Sequence, residues 1–75
     1  MTGWPDGMID GMIVGVVDAY DSHEGLGWIS ADGHRFLFHC AELLDGTREV
    51  EVGQRVRFAV AHRFGHVEAC EIEKR

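Results

Sequence analysis

Turn signals interrupt this chain so often that no helix longer than a single turn fits between them. Asp21 to Gly25 is a polar turn that ends in glycine, Asp32-Gly33 is a hairpin signal, and Arg63-Phe64-Gly65 predicts a three-residue turn. The segments between the turns are rich in β-branched and aromatic residues, and most alternate between apolar and polar side chains. The pattern therefore predicts an all-β fold.

Five short strands are predicted between these turns. They are Met12–Tyr20, Leu26–Ala31, Arg35–Cys40, Arg55–His62 and His66–Glu73. Between the third and the fourth strand, residues 41–44 allow one helical turn and residues 45–53 form a polar loop. In a chain of 75 residues this pattern favours a small closed barrel, either an oligonucleotide/oligosaccharide-binding (OB) fold or an SH3-like barrel. Closure removes the free sheet edges that would otherwise promote aggregation.

The alternation also predicts which side chains fill the barrel. The inward set is Val17, Ile29, Phe36, Phe38, Val56, Phe58, Val60 and Ile72. On the fourth strand, Arg55 and Arg57 face outward. In the last strand, the spacing of the core positions shifts between Ala69 and Ile72, which predicts a β-bulge.

Composition and charge limit the partners. The chain has 7 Lys and Arg against 13 Asp and Glu, so its formal net charge is -6. This charge excludes a protein that coats nucleic acid through a generally basic surface, and it excludes a polybasic membrane anchor. No apolar run approaches the ~18 residues of a membrane helix, and the N-terminus lacks the features of a signal peptide, so a cytoplasmic protein is expected. Residues 1–11 are expected to form a flexible N-terminal arm before a single domain at 12–75.

The acidic residues are unevenly distributed. Residues 1–33 carry six acids and no Lys or Arg, whereas residues 34–75 carry all seven basic residues and the remaining seven acids. The N-terminal half is therefore purely acidic.

No pattern predicts catalysis, a metal or a cofactor. Cys40 and Cys70 are expected to be reduced, and the five histidines lack a metal-ligand spacing. Adjacent strand residues such as His39 and Cys40 point to opposite faces, so the histidine is poorly placed to activate the thiol. A barrel this small also has no interior room for a substrate. The chain is expected not to be an enzyme.

Two motifs, one hairpin apart, carry a resemblance. Residues 24–29 read Glu-Gly-Leu-Gly-Trp-Ile, and residues 36–40 read Phe-Leu-Phe-His-Cys. Here the chain resembles the cold-shock domain family, whose members carry Lys-Gly-Phe-Gly-Phe-Ile and then Val-Phe-Val-His-Phe. Residues 15–21 and 51–58 also resemble the family's Gly-x-Val-Lys-Trp-Phe-Asn and Glu-Glu-Gly-Gln-x-Val-x-Phe. The resemblance implies a five-stranded antiparallel OB-fold barrel that binds single-stranded RNA or DNA.

In that family, outward aromatic side chains stack on bases and nearby cations contact phosphates. Trp28, Tyr20 and His39 retain rings at matching positions. The nucleic-acid interface implied by the resemblance and by the outward arginines consists of Tyr20, Leu26, Trp28, Leu37 and His39, with Arg35, Arg57 and Arg63 on phosphates.

Several positions depart from the family pattern. Ala19, Leu26 and Leu37 stand where the family has aromatic residues, and Asp18 and Glu24 stand where it has lysines. Since each stacked base is worth ~1–3 kcal/mol, weakened binding is expected, in an RNA chaperone or an expression regulator.

The same substitutions leave an alternative open. Leu26, Trp28 and Leu37 together form an apolar patch rimmed by acids, which is a composition suited to a protein contact. The alternative prediction is a protein-interaction module, with a protein partner or a homodimer formed through this patch.

Overall fold

The computed structural model describes residues 12–63 and 65–75, and for Arg63 and His66 it describes the backbone alone. The arm predicted at residues 1–11 lies outside the described residues. The strands are β1 (Ile13–Asp21), β2 (Leu26–Ala31), β3 (His34–His39), β4 (Arg55–Arg63) and β5 (His66–Lys74), and a 3-10 helix (Cys40–Glu42) follows β3. The all-β architecture and the single helical turn are therefore confirmed.

The five strands close into a barrel in the order β1-β2-β3-β5-β4. The pairs β1–β2, β2–β3, β1–β4 and β4–β5 are antiparallel. The barrel is closed by a parallel pairing of β3 with β5, where Leu37 lies opposite Glu68. The five-stranded barrel of the prediction is confirmed, and among the pairs of named strands the β3–β5 pair departs from the predicted antiparallel arrangement.

Local chemistry explains the two hairpins that shape the outer face of β1–β3. Between β1 and β2, the Asp21 carboxylate accepts hydrogen bonds from the backbone N–H groups of His23 (2.9 Å) and Glu24 (3.3 Å). Between β2 and β3, Asp32 and Gly33 have φ values of 52° and 78°. Positive φ at both central residues is typical of the turn that matches the right-handed twist of paired strands.

All eight side chains predicted to face inward lie in the core or pack against it. Seven of the predicted residues are fully buried, namely Val17, Ile29, Phe38, Val56, Phe58, Val60 and Ile72. Phe36 is half-buried and packs against the core, so its predicted inward direction is confirmed. Its ring packs at the edge of the core, 5.4 Å from the Phe58 ring and 6.5 Å from that of His34.

Two β-bulges interrupt the pairing of the strands within the described residues. The predicted bulge in β5 is confirmed: Arg57 pairs with Glu73 and Ala59 with Cys70, so residues 71 and 72 lie opposite one residue of β4. Glu71 has a φ of 50° there. The second bulge, in β1, was not predicted and is described with the site because it sets the direction of a charged side chain.

Candidate nucleic-acid interface

Strand register brings the central predicted residues onto one outer surface. Trp28 on β2 pairs with Leu37 on β3, and Leu26 pairs with His39. Directly paired residues project to the same side of an antiparallel sheet. We call the surface formed by Leu26, Trp28 and Leu37 the Trp28 face.

The Trp28 face borders an open cavity of about 420 Å³. The cavity is lined by Ala19, Tyr20, Asp21, Glu24, Leu26, Gly27, Trp28 and Leu37. Trp28 is 37% exposed and Leu26 is 38% exposed, so neither side chain belongs to the barrel core. A planar, largely apolar ligand would find an accessible indole here.

The unpredicted bulge in β1 shapes one wall of this cavity. Val17 pairs with Ile29 and Ala19 with Trp28, which leaves Asp18 as the extra residue. Strict alternation would turn Ala19 toward the core, yet Ala19 lines the cavity beside Trp28. The bulge therefore places Asp18 and Ala19 on the same side of the sheet.

Tyr20 lies at the inner edge of the cavity. Its ring is parallel to the buried Phe38 ring, with centroids 5.8 Å apart and an interplanar angle of 4°. The Tyr20 hydroxyl donates a hydrogen bond to the carbonyl of Arg48 (2.6 Å). Burial raises the pKa of this phenol, and the nearby Cys40 raises it further. One face of the Tyr20 ring therefore packs on Phe38, and at most the other face is available to a ligand.

Arg35 lies over the indole of Trp28. The guanidinium carbon is 4.8 Å from the ring centroid, a cation–π arrangement. Asp18 binds the same guanidinium through two contacts, Nη2 to Oδ1 at 3.0 Å and Nε to Oδ2 at 3.1 Å. The hydroxyl of Ser30 also donates to Asp18. The Ser30 and Arg35 hydrogen bonds, in that order, lower the pKa of Asp18.

This arrangement has two consequences for binding. The guanidinium covers part of the indole, and its own plane is a surface on which a base can stack. Asp18 compensates the charge of Arg35, so this cation attracts a phosphate less than an unpaired arginine would.

His39 lines a neighbouring depression rather than the Trp28 cavity. Its Nδ1 accepts a hydrogen bond from the backbone N–H of Ala41 (3.0 Å) and so caps the 3-10 helix. The depression is also bordered by Thr47 and Arg48. The histidine is exposed and lies beside the Trp28 face, with Nδ1 already engaged.

The structure separates the predicted Arg57 from this group. Arg57 pairs across the sheet with Val14 while Trp28 pairs with Ala19, a distance of roughly 15 Å along β1. Arg57 also forms an ion pair with Glu73, with Nη2 and Oε1 2.5 Å apart. The side chain of Arg63 lies outside the described residues.

Sequence reasoning missed Arg48 as a binding candidate. It lies in the polar loop before β4, where its carbonyl anchors Tyr20 and its side chain borders the His39 depression. Arg48 forms no ion pair with any residue that the structure describes, so its charge is available to a phosphate there. A loop position carries no periodicity, and nothing in the sequence indicated that this loop reaches Tyr20.

The described residues contain no group of three or more His, Cys, Asp or Glu side chains placed to hold a metal ion. They also contain no helix of the length and apolarity required to span a bilayer. Cys40 and Cys70 are both buried, and neither forms a disulfide.

Comparison with known proteins gives one finding. The family model described as 'Cold-shock' DNA-binding domain matches residues 13–75, which covers β1 to β5. No curated protein matches the chain.

Proposed function

Because the chain belongs to the cold-shock DNA-binding domain family, we propose that it binds single-stranded RNA or DNA weakly through the Trp28 face. The family is one of nucleic-acid-binding, non-enzymatic domains. The observation that carries the proposal is the exposed Trp28 indole, with the Arg35 guanidinium over it, on the outer surface of β2 and β3. Both groups are planar and both stack on bases.

The weakness of binding follows from the composition of the cavity. Ala19, Leu26 and Leu37 present apolar atoms but no ring, so the cavity has few aromatic partners besides Trp28. Asp21 and Glu24 border the same cavity and repel a phosphate backbone. One good stacking contact and a partly neutralised cation support micromolar or weaker affinity.

Weak binding suits a protein that engages unpaired strands briefly. We therefore propose a role as an RNA chaperone or an expression regulator acting in the cytoplasm. When a strand binds, Arg35 would leave its ion pair with Asp18 and contact a phosphate instead. Arg48, beside His39, would contact a further phosphate of the same strand. Arg57 and Arg63 remain candidates for a longer strand.

Fluorescence titration tests this proposal directly. Trp4→Phe leaves Trp28 as the sole tryptophan, so quenching by a pyrimidine-rich single strand reports on the Trp28 face. Titrations at low and moderate salt are expected to show quenching that weakens as salt rises, because phosphate contacts release counterions. The absence of quenching at high micromolar strand and low salt would refute binding at this face.

A labelled strand allows the same measurement on a variant without the indole. Trp28→Ala is expected to weaken binding roughly 5- to 150-fold in fluorescence anisotropy, from the loss of one stack. Val52→Ala is the matched control, because Val52 is 64% exposed and lies outside the cavity. Circular dichroism establishes that both variants keep the barrel, since neither side chain is in the core.

A protein-binding role is the second candidate. The observation that favours it is the exposure of Leu26 beside Trp28, with Asp21 and Glu24 at the rim. A basic protein partner recovered after nuclease treatment, and lost on Trp28→Ala, would support this function. Sedimentation distinguishes a homodimer formed through the same face from a monomer. Oligonucleotide binding without recovery of any protein partner would refute the protein-binding role.

A further inference from the structure

The hydrogen-bonding groups around the Trp28 cavity are unequally available. The Tyr20 hydroxyl is committed to the Arg48 carbonyl, and one oxygen of Asp21 is committed to the backbone of its turn. The Glu24 carboxylate lines the cavity and forms no hydrogen bond or ion pair with any residue that the structure describes. Both of its oxygens are therefore available to a bound molecule.

A carboxylate restricts what can bind because it accepts hydrogen bonds and does not donate them at neutral pH. Single-stranded bases are commonly read on their Watson–Crick edges while they stack. Guanine presents two adjacent donors there, N1–H and the N2 amino group, which match the two oxygens of one carboxylate. Thymine and uracil present one N–H between two carbonyl oxygens, and those carbonyls repel a carboxylate.

Cytosine and adenine lie between these cases. Each has one amino group next to a ring nitrogen that accepts hydrogen bonds, so each offers a carboxylate a single favourable contact. Paired contacts to a charged group are shorter and stronger than single neutral ones. An aromatic cavity with a free carboxylate at its rim consequently favours guanine over the other bases.

We propose that Glu24 selects a guanine stacked at Trp28, so that the protein prefers single strands containing guanine to strands of thymine or uracil alone. The inference rests on the proposed function, since it requires a base in the cavity. In this view the acid at position 24 lowers affinity for the phosphate backbone and adds discrimination among bases.

The test compares single strands that differ at one central base. Strands of about seven nucleotides, thymidine throughout except for a central guanine, inosine or thymine, match the site size of one such domain. A single guanine avoids self-association of guanine-rich strands. Inosine keeps N1–H and lacks the N2 amino group, so it removes one of the two proposed contacts.

The wild-type protein is expected to bind the guanine strand about tenfold more tightly than the thymine strand, with inosine between them. Glu24→Gln keeps the size of the side chain and removes the charge. It is expected to reduce the guanine preference to about twofold and to strengthen binding of the thymine strand. Glu51→Gln is the charge-matched control, because Glu51 lies in the loop before β4 and borders a different depression. It is expected to retain the full preference.

The outcomes separate the two proposals. Equal affinity for the three strands, or a guanine preference that persists in Glu24→Gln, would overturn the role of Glu24 and leave single-strand binding intact. Failure of every strand to bind at low salt would overturn the proposed function and this inference with it. Glu24 is exposed in a turn, so circular dichroism is expected to show the wild-type fold in both variants.

Discussion

Replacing Gly27 with alanine perturbs the point where the core and the Trp28 face meet. A Cβ at this position would lie 2.6 Å from the carbonyl oxygen of Ala19 and 2.7 Å from two atoms of the Phe38 ring. Neither neighbour can move easily: the carbonyl belongs to the paired strand β1, and the Phe38 ring is stacked on Tyr20. The added methyl group must therefore separate β1 from β2 or displace a core ring.

The size of the effect follows from these distances. Carbon atoms pack favourably at ~3.5–4.0 Å, so each contact is short by about 1 Å, and overpacking of this kind costs roughly 1–3 kcal/mol. With the backbone as one obstacle, the upper value applies. Restricting the unfolded chain by replacing glycine returns about 0.7 kcal/mol. The free energy of unfolding is expected to fall by about 2 kcal/mol, from a total of roughly 4–11 kcal/mol for a domain of this size.

Thermal unfolding followed by circular dichroism measures this loss. A decrease of about 2 kcal/mol corresponds to a Tm lower by roughly 8–16 °C in a domain of this length. Gly46→Asn is the control for replacing a glycine without a steric clash, since nothing lies within 4 Å of a Cβ at position 46. Its φ of +77° costs some strain, which asparagine tolerates better than most residues, so a smaller decrease in Tm is expected than for Gly27→Ala. A Tm of Gly27→Ala within about 2 °C of the wild type would refute the argument that close approach requires glycine here.

Three further predictions concern charge and hydrogen bonding. Asp18→Asn releases Arg35, and the variant is expected to bind single strands more tightly with a steeper salt dependence in anisotropy titrations. Tyr20→Phe removes a 2.6 Å hydrogen bond to the loop before β4 and is expected to lower the free energy of urea unfolding by about 1 kcal/mol. The Lys74 contact, followed by hydrogen bonds from Thr47, lowers the pKa of Asp45 from 3.8 to about 2, so its stabilisation is fully present above about pH 5 and is mostly lost by pH 2. The urea midpoints of wild type and Asp45→Asn are expected to differ at pH 7 and to converge near pH 2.

Strands and core could be predicted because their signals are local. In β2, alternation and flanking turn residues gave both ends, Leu26 and Ala31, as the structure has them. The β5 bulge was also foreseeable, since its core positions change spacing within a few residues. Alternation gave the inward direction of Phe36 but not its partial burial, because alternation indicates which side of a strand a residue occupies, not how far along the barrel the core extends.

The site was less predictable because it depends on pairing between distant segments. The β1 bulge at Asp18 is a mismatch between two strands, and residues 12–20 show no change of period that reveals it. The ion pair between Arg35 and Asp18, and the position of Arg48 beside His39, also depend on contacts between segments that are distant in the sequence. The residue types at the motif positions were enough to predict the Trp28 face. The pairing of charges around that face could be known only from the strand register.

That register changes the meaning of the acidic residues around Trp28. Asp18 and Glu24 stand where the resemblance implies lysines. Judged by composition alone, the surface around Trp28 would therefore repel phosphate. Asp18 is offset by Arg35 from the adjacent hairpin strand, and together they present a guanidinium plane over the indole rather than a bare negative charge. Glu24 has no such partner among the described residues, so no cation compensates it at the cavity rim. The two acids are therefore expected to act differently. Asp18 holds Arg35 in an ion pair that a bound strand can replace, and Glu24 restricts which base the cavity accepts.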